Sequence, residues 1–349
     1  MYKISFILIF NIVYMFAHAE PTTVSLKDAI ERAKSYSPDI KLQQQQIKKI
    51  ELEKRSVLGE ALPNISTSYT VNNFIDTPVI SGFSLNSKYE KTFDFTVRQA
   101  LFRFGAITSG LAAAKIALGT AELQKTLVER DVVYATKVAY YSSLLAAKQL
   151  EISNTALQNA KQNLNLLQNY FSSGRPPQGD LIRLQADIAA RKSQLEEAKF
   201  NQELAHTQLR TLMGLNNATS ILLTDEFDTD FIPIDREVLR RDLQENQPQL
   251  RALKKQIEYQ EEVSNIQKAR TLPKIDAIYN VSSSDRSDTE IFEQDSNVSS
   301  SLVGVTLTWE IWNGGTNRAN YNKAVVDKNL AEIVLSQKKI NFYHNLTLK

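Results

Sequence analysis

Apolar and polar residues alternate from Ile65 to Val71 and again from Phe93 to Val97. A period of two puts Ile65, Thr67, Tyr69 and Val71 on one face of a strand and Ser66, Ser68, Thr70 and Asn72 on the other. Phe93, Phe95 and Val97 likewise alternate with Thr92, Asp94, Thr96 and Arg98. The pattern returns at a fixed offset of 210 residues: Ile275 to Val281, a Ser/Asp-rich loop from Ser282 to Ser300, then Val303, Val305, Leu307, Trp309 and Ile311. The breakers keep the same offset, Pro38 with Pro248, Pro63 with Pro273 and Gly105 with Gly315. Strand residues, prolines and glycines held in one register predict two copies of one structural unit, each with a strand hairpin, at 63–102 and 273–312.

Outside the hairpins the period becomes helical. Ser25-Leu26-Lys27-Asp28 has the spacing of a capping box, and Ser37-Pro38 closes that short helix and opens a second, which Pro63 stops. Asn246-Gln247-Pro248 opens the equivalent helix of the second copy, and Pro273 closes it. From 106 to 170 there is no proline, and Leu150, Leu157, Leu164 and Phe171 recur at seven, as do Val138, Leu145 and Ile152. At 1.5 Å per residue this helix would be about 100 Å long, more than an ordinary globular domain needs. Ser172 to Gly179, with Gly174, Arg175, Pro176 and Pro177, reverses the chain. A return helix over 180–213 carries Leu181, Ile188 and Leu195 at heptad spacing. Two shorter helices stacked beside one long one make a uniform two-helix wall.

The predicted organisation is a first repeat over 20–215 with its tip at 171–179, an acidic connector at 216–235, and a second repeat over 236–349 whose long helix starts at 316. Lys3, an apolar run from Ile4 to Phe16 and Ala17-His18-Ala19 read as a signal peptide over 1–19, too short in its apolar part to span a bilayer. If the period holds, a full second copy would continue roughly 75 residues past Lys349. The expectation is therefore a chain truncated at its C-terminus, against the alternative of a naturally shorter second copy.

Composition narrows the function. With 41 basic and 39 acidic residues and no basic cluster among aromatics, nucleic acid is not an expected partner. Without cysteine there is no disulfide framework and no lipid-carrying residue. His206 and His344 have no second histidine at metal spacing, and Gly314-Gly315 lacks the lysine and hydroxyl of a phosphate loop. Neither an enzyme nor a metal or cofactor site is expected. An exported chain without a later apolar run of spanning length is either soluble or a barrel. The strands alone fit a soluble sandwich as well as a membrane hairpin, since each strand of a barrel carries a weak signal.

Taken together, Ser25 to Ile30 followed by Ser37-Pro38, the Leu-Pro-x-Ile entries at 62–65 and 272–275, and the exits Leu101-Phe102-Arg103-Phe104-Gly105 and Ile311-Trp312-Asn313-Gly314-Gly315 are similar to the TolC-like outer-membrane efflux proteins. Tyr170, Gly174 and Asp180-Leu181 fit that family's tip. The resemblance implies a mainly α protein with membrane β structure. Long coiled-coil hairpins would form an α-barrel in the periplasm, and each protomer of a homotrimer would give four strands to a shared twelve-stranded barrel. It further implies a periplasmic adaptor (membrane fusion) protein and an inner-membrane transporter or ABC exporter as partners.

On the same resemblance Tyr170 and Gly174 belong to the adaptor-docking tip, and Asp180 helps hold the tunnel's periplasmic end shut. Arg175, Pro176 and Pro177, where this sequence departs from the family, are expected to complete the docking tip and set which adaptor is accepted. From the residues alone, Asp180 is also a first-turn carboxylate facing the helix dipole. Phe102, Phe104, Trp309 and Trp312 at the strand exits are expected at the membrane boundary, in contact with outer-membrane lipid. The function expected is a passive duct for efflux or type I secretion. The alternatives are a periplasmic coiled-coil adaptor, which needs only one hairpin, and a non-functional fragment of a duct.

Overall fold

The computed structural model describes residues 22–76, 79–80, 83–84, 87–171, 178–227, 237–238, 241, 246–287 and 297–347. The predicted signal segment and most of the tip lie outside them. The chain divides into two compact units, one of Met1–Ile40 with Val128–Pro233, the other of Lys41–Leu127 with Ile234–Lys349.

In the first unit, β1 (Thr22–Val24) runs parallel to β6 (Ile221–Leu223), Thr22 opposite Ile221. Helix α1 (Leu26–Tyr36) follows, capped as predicted: Asp28 N–H donates to Ser25 Oγ, and Ser25 N–H donates to the Asp28 carboxylate. Hydrogen bonds from Ser25 hold the Asp28 carboxyl below its ordinary range. Helix α3 (Ala106–Phe171) lies antiparallel to α4 (Gln178–Met213), and only its part from Val128 on belongs to this unit. Leu157, Ala160 and Ile188 are buried together, with Leu164 and Leu195 against them, so one predicted heptad seam is the α3–α4 interface. Val138, Leu145 and Ile152, the other seam, are exposed.

A second cluster joins Val24, Ala29, Ala139, Tyr140, Leu209, Met213 and Ile221. Its polar centre is the Tyr140 hydroxyl, which donates to Val24 O at 3.1 Å and accepts from Asp225 N–H at 3.4 Å. The Asp225 carboxylate in turn accepts from Leu26 N–H at 2.7 Å. Burial, with Asp225 close by, pushes the Tyr140 pKa up. Buried Arg210 pairs with Glu203 and donates to Thr207 Oγ1 and Thr219 O. The chain leaves α4 at Gly214, whose φ of +65° is left-handed. A Cβ there would stand 2.2 Å from the Tyr36 ring, so both conformation and space require glycine.

The second unit holds most of α2 (Pro38–Gly59), then β2 (Asn64–Asn73), a short pair β3 (Val79–Ile80) and β4 (Phe83–Ser84), β5 (Tyr89–Phe102) and the start of α3. The elements α5 (Pro248–Ala269), β7 (Lys274–Ser287), β8 (Asn297–Thr308) and α6 (Thr316–Thr347) follow. Helices α2 and α5 begin 210 residues apart, as do β2 and β7, and α3 and α6. The correspondence reaches single hydrogen bonds: Leu62 N–H to Gly59 O and Leu272 N–H to Ala269 O; Ala106 N–H to Arg103 O and Thr316 N–H to Asn313 O. Near its start α3 lies against α2, where a Cβ at Gly110 would stand 3.0 Å from Val57, and against α5, where the Lys255 side chain lies over Gly119.

One antiparallel sheet has the order β2-β5-β7-β8. The hairpins β2-β5 and β7-β8 are local, and β5 pairs with β7 to join the two copies.

Some strand and helix limits differ from the expectation. Ser282 to Ser287, read as loop, extends β7, because each residue finds a backbone partner on β5 from Asp94 to Tyr89. A ready ladder outweighs the poor strand preference of Ser and Asp. Conversely Trp309 and Ile311, read as strand, lie past β8, because β7 begins at Lys274, opposite Thr308, and offers nothing further. At the tip, Phe171 belongs to α3 and Gln178 and Gly179 to α4.

Candidate functional site

Residues directly opposite in an antiparallel sheet share a face, so the register sorts every strand residue. One row runs Ile65, Val97, Tyr279, Val303; the next, Thr67, Phe95, Val281, Ser301; a third pairs Tyr69 with Phe93; a fourth pairs Ala277 with Val305. At the helical end Phe102 meets Ile275, and Ile275 meets Leu307. Over its helical end this face is mainly apolar, turning polar at the far end with Ser283, Ser299, Lys91, Asp285 and Asn297. Among the described residues nothing covers it: Ile65, Tyr69, Val303, Val305 and Leu307 are each more than 60% exposed. The other face carries Ser66, Thr96 and Asn280 in one row and Ser68, Asp94, Ser282 and Ser300 in another. Asn280 Nδ2 donates to Thr96 Oγ1 at 2.9 Å. Toward the far end Arg286 pairs with Glu90 at 2.9 Å. Leu302 and Val298 interrupt the polar face.

An apolar sheet face of this extent left bare in water is unfavourable by roughly 25 cal/mol for each Å². The arrangement suits an apolar medium on one side and water on the other. The outer edges of β2 and β8 have no strand partner among the described residues.

At the helical end, β5 carries a bulge between Ala100 and Phe102 that leaves Leu101 unpaired and returns Phe102 to the apolar face. Arg103 follows. Its guanidinium donates to Phe102 O and Ile275 O and pairs with the carboxylate of Asp276, which is buried. Gln99 Nε2 donates to Ala61 O at 2.8 Å, tying the strand to the turn that leaves α2. The chain then enters α3 through two left-handed residues, Phe104 (φ +47°) and Gly105 (φ +87°), and enters α6 through Gly314 (φ +68°) and Gly315 (φ +84°). Phe104 is the only one of the four with a Cβ, at a conformation costing roughly 1–2 kcal/mol. Its ring lies edge-on to Phe102, centroids 4.5 Å apart, a contact worth about 1 kcal/mol in return.

The four aromatics expected at a boundary therefore sit at the helical end of the sheet, two in each strand exit. Phe102 and Phe104 touch. Trp309 donates its indole N–H to Thr271 O, and Trp312 is 80% exposed. Asp180 lies in the first turn of α4, half-buried, and Tyr170 in the last turn of α3. Gly174, Arg175, Pro176 and Pro177 lie outside the described residues. Sequence reasoning missed the Arg103–Asp276 pair, whose only trace is a carboxylate between Ile275 and Ala277. Among the described residues no group of His, Asp and Glu could hold a metal ion, and no helix is long and apolar enough to cross a membrane.

The model of the outer membrane efflux protein family matches residues 29–215 and 239–346. Solved structures share the fold at low identity. The CmeC outer membrane channel of Campylobacter jejuni superposes with a TM-score of 0.76 at 16% identity, over 91% of this chain and 68% of that one. A membrane protein from Pseudomonas aeruginosa gives 0.74 at 18% identity, over 91% and 74%. The outer membrane protein VceC of Vibrio cholerae gives 0.72 at 15%, over 91% and 76%. No curated protein matches the chain.

Proposed function

The chain belongs to the outer membrane efflux protein family, and from that premise we propose that it is a passive exit duct through the outer membrane of a Gram-negative bacterium, assembled as a homotrimer. The observation that carries this reading is the two-sided sheet: a bare apolar face for lipid, a polar face for a water-filled lumen, and two open edges. Four strands cannot close a barrel, and an unpaired amide in hydrocarbon costs several kcal/mol. Three copies edge to edge make twelve strands with no free edge. The helices then project into the periplasm, and the exposed seam of Val138, Leu145 and Ile152 faces a neighbouring helix.

A periplasmic adaptor and an inner-membrane transporter or ABC exporter supply the energy, and drugs, metal ions or a secreted polypeptide are the cargo classes such a duct passes. The adaptor docks at the tip around Tyr170, Gly174, Arg175, Pro176 and Pro177, and Asp180 helps to keep the periplasmic end shut. Fractionation tests the duct: the protein should leave washed outer membranes only with detergent, and release by alkali or salt would refute it. For the tip, crosslinking from position 175 should capture the adaptor. A Gly174→Val variant that trimerises and exports at the wild-type rate would remove the tip from the mechanism.

A further inference from the structure

At the foot of β8 a cavity of about 390 Å³ opens between the end of α5 and the start of α6, lined among others by Lys268, Thr271, Glu310, Trp312, Arg318 and Tyr321. Among the described residues neither Lys268 nor Arg318 meets a carboxylate within ion-pair distance, and both are exposed. Glu310, the one acid in the lining, already accepts from Asn313 Nδ2 and Asn317 Nδ2, each at 3.0 Å. Two cations against one engaged carboxylate leave the cavity positive. Its rim is apolar and aromatic: Ile311 and Trp312 are 77% and 80% exposed, and Trp309, pinned to Thr271, stands where the apolar sheet face ends.

The fold does not require these charges. At the matching positions of the first copy, 210 residues earlier, stand Leu58 for Lys268 and Thr108 for Arg318, in a junction whose turns are closed by corresponding backbone hydrogen bonds. These two cations therefore have no counterpart at the matching positions of the first junction, whose own cation, Arg103, is paired with Asp276.

We propose that this cavity binds the headgroup of an anionic phospholipid. The phosphate lies between Lys268 and Arg318, and the acyl chains run up the apolar face past Trp309 and Trp312. Exposed indoles and free cations at the end of an apolar band are the groups that settle at a charged lipid interface. The inference rests on the membrane reading of the sheet.

The test is native mass spectrometry of the full chain reconstituted in nanodiscs of phosphatidylcholine with or without phosphatidylglycerol. Wild type should retain phosphatidylglycerol over phosphatidylcholine by about 30-fold, the factor expected of two basic residues at an anionic surface. The Lys268→Ser/Arg318→Ser pair should bring that ratio close to one while still assembling in pure phosphatidylcholine. Lys268→Arg should keep the preference, and free glycerol phosphate should not displace the lipid. Equal retention by wild type and the double variant overturns the site. So does a double variant that fails to assemble even in phosphatidylcholine, which would make the cations a contact between subunits. A wild-type chain that enters neither nanodisc refutes the membrane reading and this site with it.

Discussion

Trp309 donates its indole N–H to the carbonyl oxygen of Thr271 at 3.1 Å. The bond repeats 210 positions earlier, where Gln99 donates to Ala61 at 2.8 Å. Two unlike side chains thus fasten a strand end to the turn that leaves the preceding helix. The Gln99 bond is part-buried and the Trp309 bond exposed, so losing the first should cost more. Gln99→Met is expected to lower stability by about 1–2 kcal/mol and Trp309→Phe by about 0.5 kcal/mol, read from denaturant unfolding. Equal losses would mean that burial does not set the strength of these ties.

Neighbouring strand residues should respond oppositely to charge. Phe95 lies on the apolar face and Thr96 on the polar one. Phe95→Arg is expected to cost about 2–4 kcal/mol of assembly in a bilayer, and Thr96→Arg close to nothing. Val305 and Thr306 should behave likewise. The yield of detergent-stable oligomer in outer membranes reports the difference, and equal loss from both members of a pair would count against the face assignment.

Arg103 and Asp276 form a pair with one nearly buried partner. Arg103→Met would leave the carboxylate uncompensated, at a cost of about 3 kcal/mol. Arg103→Met with Asp276→Leu should recover most of that, because an apolar pair needs no solvation. Unfolding of the three proteins in denaturant checks it, and a double variant as unstable as the single one would show that the guanidinium acts through its bonds to Phe102 and Ile275 instead.

Half-buried His206, between Glu203 and Arg210 on α4, has its pKa lowered, chiefly by burial. The unfolded chain then takes up a proton at a pH where the folded one does not, so stability falls as pH drops below about 6.5 and levels off beneath the folded value. His206→Gln should flatten that slope. Thermal melts between pH 7.5 and 5 measure it, and an unchanged slope would assign the pH dependence to other groups.

The repeat, the helix starts and both glycine turns were legible in the sequence because breakers act locally: Pro38 opens α2 and Gly105 turns the chain without help from elsewhere. The heptads were legible too, though not their partners. Leu157 and Ile188 meet each other, while Val138 and Leu145 carry the same spacing and face outward, and spacing alone cannot tell the two seams apart. Strand ends were read less well, since Ser282 to Ser287 owe their conformation to β5. Arg103 and Asp276 stand 173 positions apart, and no local pattern joins them. Phe104 is a further case, since a phenylalanine gives no hint of the left-handed turn that Gly314 announces in the second copy.

The pairing of β5 with β7 also sets an order of events. Each hairpin closes over a short stretch of chain, Asn64 with Arg98 for instance, whereas the central seam joins Tyr89 to Ser287, 198 positions apart. Closing so long a loop is entropically costly and slow unless something first brings its ends together. The α3–α4 hairpin lies within that loop, and by folding back on itself it shortens the path between the strands. The seam should therefore zip after the helices have paired. Until it does, β5 and β7 each keep one unpaired edge, a window in which a holding chaperone would find its substrate.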